Sequence, residues 1–242
     1  VLQFTRSMSF APDWCIIREL FRFGLPTGFQ GIVMNAAGVL LLRFIGSLEY
    51  SAEAQAAYAV TYSELFSLVT WTSVGLMGAT AAVAGQNLGA GFPERRVRAA
   101  FVASMIGIAF SVLVGLAFLT IPRLLLSIFG MDEGVQYELG RQLLTYLAVS
   151  GLFVTVALTY TGGLQGTGDT RSPLFISIVS QVVIPIGWCA YIDLTRGLEP
   201  QDIWLAIVLG HIARATLSVW RFNQGKWRDI AINIESSSSR SA

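Results

Sequence analysis

Charged residues are scarce in this chain of 242 residues: they make up 13% of it, whereas hydrophobic residues make up 54%. Soluble domains carry about 25% charged residues, so the composition favours an integral membrane protein. The chain has one histidine and two distant cysteines, Cys15 and Cys189, which match no metal-ligand spacing and no disulfide framework. Phosphate-binding loops, nucleophile elbows and zinc helices are also missing. We therefore expect neither an enzyme nor a bound cofactor, and the net charge of +1 gives no reason to expect a nucleic-acid partner.

Long uncharged stretches predict the membrane spans. About 20 apolar residues in a helix cross a hydrocarbon core of about 30 Å, and a helix satisfies its own backbone polar groups. A sixth, weaker span over 203–222 is interrupted by His211 and Arg214. The sequence therefore predicts an all-α membrane protein with six transmembrane helices. The five uncharged stretches are 23–42, 65–93, 99–122, 142–168 and 172–192.

The distribution of basic residues predicts the orientation. If both termini are cytoplasmic, most of the 16 basic residues fall on the inner side, and the outer loops carry an acidic excess. Cytoplasmic loops are rich in Lys and Arg, so we predict that both ends of the chain lie inside. The basic residues left outside are Arg43, Arg123, Arg141 and Arg196.

The two ends differ in composition from the spans. Residues 14–23 are amphipathic and begin with Trp14, which predicts an interfacial linker helix within 1–23 or, equally, an extension of the first span. Residues 24–228 then form the six-helix transmembrane domain. Residues 229–242 contain a serine run and predict a disordered cytoplasmic tail. Because the first residue is Val1 rather than Met, we expect a piece of a longer protein.

Glu64 is the most informative single residue. It interrupts an otherwise uncharged helix, and a carboxylate at membrane depth is expensive. Such a group can take up and release a proton, or bind a cation, as its surroundings alternate between wet and dry. The alternative is a carboxylate near the outer headgroups, where it would snorkel or pair with Arg43.

Neutral polar and aromatic residues also lie within the spans. Gln30, Asn35 and Gln181 can line a wet cavity or, more commonly, form hydrogen bonds between helices. A polar and aromatic stripe on the fourth helix would suit a flat organic cation through cation–π attraction, although lipid-facing aromatics produce similar stripes. The stripe consists of Gln142, Tyr146, Ser150, Phe153 and Tyr160.

Small residues and prolines predict packing and bends. Gly107, Ser111 and Gly115 recur at i, i+4 and i+8, so this face of the third span should pack closely on another helix. Pro185 near the middle of the fifth span predicts a kink beside a cavity. The segment from Gly85 to Gly91 has its glycines at the same spacing as that from Gly162 to Gly168, and each would close an inward-running helix with a tight turn.

Two further residues have simple explanations. His211 is expected to be a satisfied group near the inner interface, since a lone histidine cannot form a metal site. The sequence Gly-Thr-Gly-Asp ending at Asp169 matches a short motif of intramembrane aspartyl proteases. That chemistry needs two carboxylates sharing a water within the membrane, and no second intramembrane Asp exists.

Several motifs in order resemble one transporter family. Gly-Leu-Pro from Gly24 opens a span, Ala-Tyr-Ala-Val from Ala57 starts the next, and Gly-Gln-Asn-Leu-Gly-Ala-Gly from Gly85 precedes a basic loop. Leu-Gln-Gly-Thr-Gly-Asp-Thr from Leu164 precedes Pro173. Together they resemble the carboxy-terminal six-helix lobe of multidrug and toxic compound extrusion (MATE) transporters, over roughly residues 13–227.

The resemblance implies a twelve-helix transporter of two lobes in a bacterial cytoplasmic membrane, so the partner would be an amino-terminal lobe of the same protein. It implies export of cationic or amphipathic small molecules in exchange for H⁺ or Na⁺. Some members carry a carboxylate in the first helix of this lobe, where this chain has Met34 and Asn35. Glu64 is then the candidate coupling residue, and the candidate cavity residues are Gln30, Asn35, Tyr62, Trp71, Tyr146 and Gln181.

Two alternatives differ in what crosses the membrane. A flippase for lipid-linked oligosaccharides would need Arg or Lys in its cavity for pyrophosphate, and we expect no such residue at mid-membrane. A non-transporting membrane scaffold would show no gradient-dependent flux and would tolerate changes at Glu64 and the cavity residues.

Overall fold

The computed structural model describes residues 14–225, and all regular secondary structure in that range is helical. Two π-helical segments, π1 (Ala59–Leu65) and π2 (Ile178–Val183), lie between α-helices. The α-helices are α1 (Trp14–Ile45), α2 (Ser51–Tyr58), α3 (Ser67–Gly89), α4 (Pro93–Thr120), α5 (Pro122–Ser127), α6 (Gly134–Gln165), α7 (Arg171–Ser177), α8 (Ile184–Arg196) and α9 (Pro200–Asn223).

Six helical stretches in the described range are long and apolar enough to cross a membrane, which confirms the all-α fold class and the six spans. The second span is the longest, 39 residues over Ser51–Gly89, because π1 joins α2 and α3 in one helical rod that contains Glu64. The fifth span likewise runs through α7, π2 and α8. Helix α1 continues without a break through residues 14–23, for which the sequence leaves two interpretations open. The tail predicted over 229–242 lies outside the described residues.

Helices α6 and α9 form the centre of the domain. In an apolar 18-residue window of each of these two spans, 56% of the window is buried inside the protein, compared with 22–28% in the other four spans. Helices α3 and α4 pack on α6, whereas α7, π2 and α8 pack on α9 and on α1. Helices α1 and α3 therefore make little or no contact with each other, and a gap remains between them that residues of α6 and α9 also line.

Small residues let the helices approach closely, as the sequence predicts for the third span. A Cβ atom added at Gly107 would lie 2.1 Å from Cγ2 of Thr155 in α6. Ser111 Oγ is 2.8 Å from Thr155 Oγ1 and donates to the Gly151 carbonyl oxygen at 3.2 Å. The predicted packing face of α4 is thus confirmed, and its partner is α6.

The glycines of the two matched segments occupy equivalent positions. Helix α3 ends at Gly89 and α6 ends at Gln165, and the last glycine after each helix has a positive φ, +77° at Gly91 and +84° at Gly168. This is the left-handed conformation that favours glycine, so the predicted tight turns are confirmed. The two segments also meet in space: a Cβ atom at Gly85 would lie 3.0 Å from the Gly166 carbonyl oxygen.

Pro185 disturbs the fifth span as predicted. A proline inside a helix donates no hydrogen bond, and its ring clashes with the carbonyl group four residues earlier, here that of Gln181. The helix responds by widening into π2, which ends two residues before Pro185. Pro185 is buried and lines a small pocket, which confirms that it lies beside a cavity.

Candidate functional site

A cavity of about 310 Å³ occupies the gap between α1 and α3. Its walls come from four spans, the first, second, fourth and sixth, and the residues that line it from α6 and α9 include Gln165, His211 and Arg214. Thr27 on its rim is exposed, so the cavity opens along α1. The complete lining is Thr27, Gln30, Gly31, Met34, Tyr62, Phe66, Thr70, Val74, Met77, Val154, Leu158, Gln165, His211 and Arg214.

Gln30 joins three helices at the edge of this cavity. Its amide nitrogen donates to Ser177 Oγ at 2.8 Å and to the Pro173 carbonyl oxygen at 3.4 Å, both in α7. Its amide oxygen accepts from Gln165 Nε2 of α6 at 3.1 Å. Gln30 therefore lines the cavity and also forms hydrogen bonds between helices, so the two roles that the sequence left open occur together.

His211 and Arg214 correct two expectations from the sequence. His211 lies at the middle of the 24-residue helix α9 rather than near the inner interface, and its Nδ1 atom has no hydrogen-bond partner in the described structure. Arg214 follows one turn later, is only 6% exposed and lines the same cavity. The expectation that no basic residue lies at mid-membrane in the cavity is wrong, because α9 is central and its polar face points inward.

The rings of Tyr62, Phe66 and His211 line the cavity, and Tyr58 stacks on Tyr62 outside it. The ring centroids of Tyr58 and Tyr62 are 4.9 Å apart with the planes inclined by 10°. His211 lies 6.5 Å from Tyr62 and 6.0 Å from Phe66. The contacts of Tyr62 and Phe66 with His211 join the second span to α9. Tyr58, Tyr62 and Phe66 can contact one another because they are four residues apart, and such residues lie nearly above one another in the widened turns of π1. The sequence motifs did not reveal this stack, since they placed the aromatic stripe on the fourth span.

A second, smaller pocket of about 80 Å³ shares Met34 and Tyr62 with the first cavity. Gln181 lines it, and the Gln181 amide nitrogen is buried without a hydrogen-bond partner among the described residues. Gln181 lies against α9, since a Cβ atom added at Gly210 would be 3.5 Å from this nitrogen. Of the six candidate cavity residues, the structure thus brings Gln30, Tyr62 and Gln181 together.

The other candidate residues lie elsewhere. Asn35 is exposed and donates at 2.9 Å to the Gly31 carbonyl oxygen within its own helix, and Trp71 is 73% exposed. Tyr146 is partly buried against the apolar core. Glu64 is exposed on π1, lines neither pocket and forms no ion pair with Arg43 in the described structure. The functional roles of these four residues stay predictions.

The stripe on the fourth span is used for packing. Gln142 Oε1 accepts a hydrogen bond from Trp204 Nε1 of α9 at 3.1 Å. Tyr160 meets Phe222 of α9 edge to face, with the ring centroids 5.2 Å apart. Neither pocket described above is lined by a residue of this stripe.

Asp169 has a structural role that explains its motif. Its carboxylate accepts hydrogen bonds from the backbone nitrogen and the hydroxyl of Ser172 at the start of α7, at 3.1 and 2.8 Å. It also forms an ion pair with Arg221 of α9, with Nη2 2.9 Å from Oδ2. The carboxylate therefore caps one helix and fastens it to another, and no cluster of metal-ligating residues occurs in the described part of the chain.

Six membrane-spanning helices, four of which line a cavity with both apolar and polar walls, define a polytopic helical membrane protein. The chain belongs to the MatE family, whose model matches residues 26–190. This confirms the resemblance drawn from the sequence motifs. The bacterial relatives and the six spans together identify an integral protein of the cytoplasmic membrane.

The named relatives are about twice as long as this chain. A probable multidrug resistance protein NorM of Thermotoga maritima is 26% identical over 223 residues, which are 91% of this chain and 47% of the relative. A protein of the same name from Brucella suis is 28% identical over 222 residues, 87% of this chain and 45% of the relative. The chain thus spans about half the length of the curated relatives it matches.

Solved structures of MATE transporters show the same fold over about half of their own length. The eukaryotic MATE transporter AtDTX14 superposes with a TM-score of 0.78 at 19% identity, covering 90% of this chain and 48% of that protein. A multidrug resistance MATE family transporter of the MOP superfamily, in its outward-facing conformation, gives 0.72 at 20% identity over 93% of this chain and 49% of that one. The six helices therefore have the fold of one half of such a transporter.

Proposed function

We propose that this chain is one six-helix lobe of a secondary active exporter of amphipathic small molecules, working with a second lobe of the same protein. The cavity of about 310 Å³ between α1 and α3 is the observation that carries the proposal. Its combination of stacked rings and amide groups suits compounds that have both apolar and polar parts. The names of the relatives, which describe multidrug resistance proteins, support export as the direction of transport.

Glu64 is the proposed coupling residue, which would exchange H⁺ or Na⁺. It lies roughly 20 Å along the helix axis from Ser51, well inside a 39-residue span. No basic side chain pairs with it in the described structure, so its charge needs water, a cation or a proton as compensation. In the proposed cycle the two lobes rock about the cavity, and cation binding at Glu64 lowers substrate affinity on one side.

The test is dye export by Glu64→Gln, which keeps the size of the side chain and removes its charge. Ethidium efflux driven by a proton or sodium gradient is followed in everted vesicles containing the native protein. We expect Glu64→Gln to lose at least 90% of the gradient-driven rate at unchanged membrane insertion, because the coupling charge is gone. Glu49→Gln, an exposed acid in the loop before the second span, is the matched control and should export normally. Full export by Glu64→Gln would remove Glu64 from the mechanism.

The flippase alternative gains one observation from the structure. Arg214 lines the cavity, so a group that can bind phosphate is present where the sequence predicted none. A flippase would move a fluorescent lipid-linked oligosaccharide between leaflets and would not transport ethidium. A scaffold would move neither compound.

A further inference from the structure

Arg214 is a buried cation without a protein counter-ion. It is 6% exposed, and no carboxylate of the described residues lies within ion-pair distance of it. Its Nε atom has no hydrogen-bond partner. The two buried acids of the described chain are already committed, Asp169 to Arg221 and Asp202 to Arg196. A buried charge left in this condition is strongly unfavourable, so the site is completed by something that the chain itself does not supply.

The groups around Arg214 are suited to an anion. His211 lies three residues earlier on the same face of α9, is 3% exposed, and has an unpartnered Nδ1 atom. Both side chains line the cavity that Gln30, Gln165 and Tyr62 also line. No acidic residue lines this cavity in the described part of the chain. An anion entering it would therefore meet one fixed positive charge and several neutral hydrogen-bonding groups.

We propose that Arg214 and His211 form a subsite for the carboxylate or phosphate group of an amphipathic compound. A guanidinium group binds either group through two parallel hydrogen bonds, and a low-dielectric surrounding strengthens that attraction. The rings of Tyr62 and Phe66 beside His211 would hold the apolar part of the same compound. The inference rests on the proposed function and narrows its amphipathic substrates to those that carry an anionic group.

The test uses a matched pair of fluorescent probes, pyrenebutanoate and its uncharged analogue pyrenebutanol. Their affinities for the native protein are measured in nanodiscs of phosphatidylcholine. We expect pyrenebutanoate to bind at least 10-fold more tightly than pyrenebutanol. Arg214→Gln should abolish this preference, and Arg214→Lys should retain part of it because the charge remains. Arg141→Gln is the control, since Arg141 is exposed and paired with Glu138 outside the cavity.

A competition measurement identifies the source of the anion, and two results would overturn the proposal. Displacement of pyrenebutanoate by phosphatidylglycerol in the nanodisc would assign the subsite to a lipid headgroup, and unchanged binding would assign it to a soluble anion. Equal affinity of the two probes for the native protein would overturn the proposal, as expected if a carboxylate from the rest of the native protein fills the site. A preference that survives in a folded Arg214→Gln variant would overturn it as well.

Ethidium export, measured separately, distinguishes the two proposals. Normal gradient-driven export without any probe preference overturns the anion subsite alone. An Arg214-dependent preference in a protein that exports neither ethidium nor pyrenebutanoate overturns the proposed function alone and leaves the anion subsite standing.

Discussion

Two amides five residues apart in α1 show how burial decides the role of a residue. Gln30 is buried and forms hydrogen bonds to α6 and α7, whereas Asn35 is exposed and bonds only within its own helix. In the sequence they are equivalent, since both are neutral polar groups in one apolar span. The difference comes from the partner helices, which lie far away along the chain.

Replacement of Gln30 should therefore cost more than replacement of Asn35. We expect Gln30→Ala to lower the free energy of unfolding by about 1–3 kcal/mol, because Ser177 Oγ and Gln165 Nε2 lose a buried partner. Asn35→Ala should change it by less than about 0.5 kcal/mol. Thermal unfolding of the purified protein in detergent compares the two variants. Equal losses for both would contradict the bridging role of Gln30.

The helices of this protein are held by close backbone approach as much as by side-chain burial. Gly162 of α6 and Gly166, which directly follows α6, face α3, where added Cβ atoms would lie 2.2 Å from the carbonyl oxygens of Met77 and Ala81. Neither neighbour can move aside without displacing the backbone of α3. Membrane helices lack a strong hydrophobic drive to associate with one another, so such contacts determine which helices become neighbours.

Gly162→Ala tests this contact. Alanine improves helix propensity by about 1 kcal/mol, but overpacking against a backbone costs about 1–3 kcal/mol or more. We therefore expect the cost of the clash to exceed the gain in helix propensity. We expect a net loss of stability and a lower thermal unfolding temperature. Gly78→Ala on α3, where nothing lies within 4 Å of the added Cβ atom, should be neutral or stabilising. A stabilised Gly162→Ala variant would show that α3 and α6 do not pack this tightly.

At the scale of the whole molecule, the two central helices supply Gln165, His211 and Arg214 to the cavity, and the outer helices carry the apolar surface. Helices α6 and α9 are the most buried spans, whereas α4 exposes large apolar side chains such as Phe101, Ile106 and Leu113. This arrangement suits a lipid surrounding, in which exposed apolar residues need no cover. It also leaves the cavity at membrane depth, where charge–charge interactions are strong.

The orientation predicted from basic residues can be tested on this architecture. Single cysteines at Glu94, an exposed residue at the start of α4, and Asp132, an exposed residue in the loop between α5 and α6, are introduced into a Cys15→Ala, Cys189→Ala background. A membrane-impermeant maleimide added to intact cells should label Asp132→Cys and spare Glu94→Cys until the cells are lysed, because the loop with the Lys/Arg excess is cytoplasmic. The reverse pattern would invert the topology.

The sequence by itself determined the membrane class, the six spans, the tight glycine turns and the family resemblance, because length, charge and glycine spacing act locally along one helix. Apart from the small-residue face of α4, it could not determine which face of a helix turns inward. His211 and Arg214 weaken the hydropathy of the sixth span, yet they lie in a cavity because α9 is central. Only the tertiary structure decided this, since the surroundings of a polar residue in a membrane are set by helices distant in the sequence.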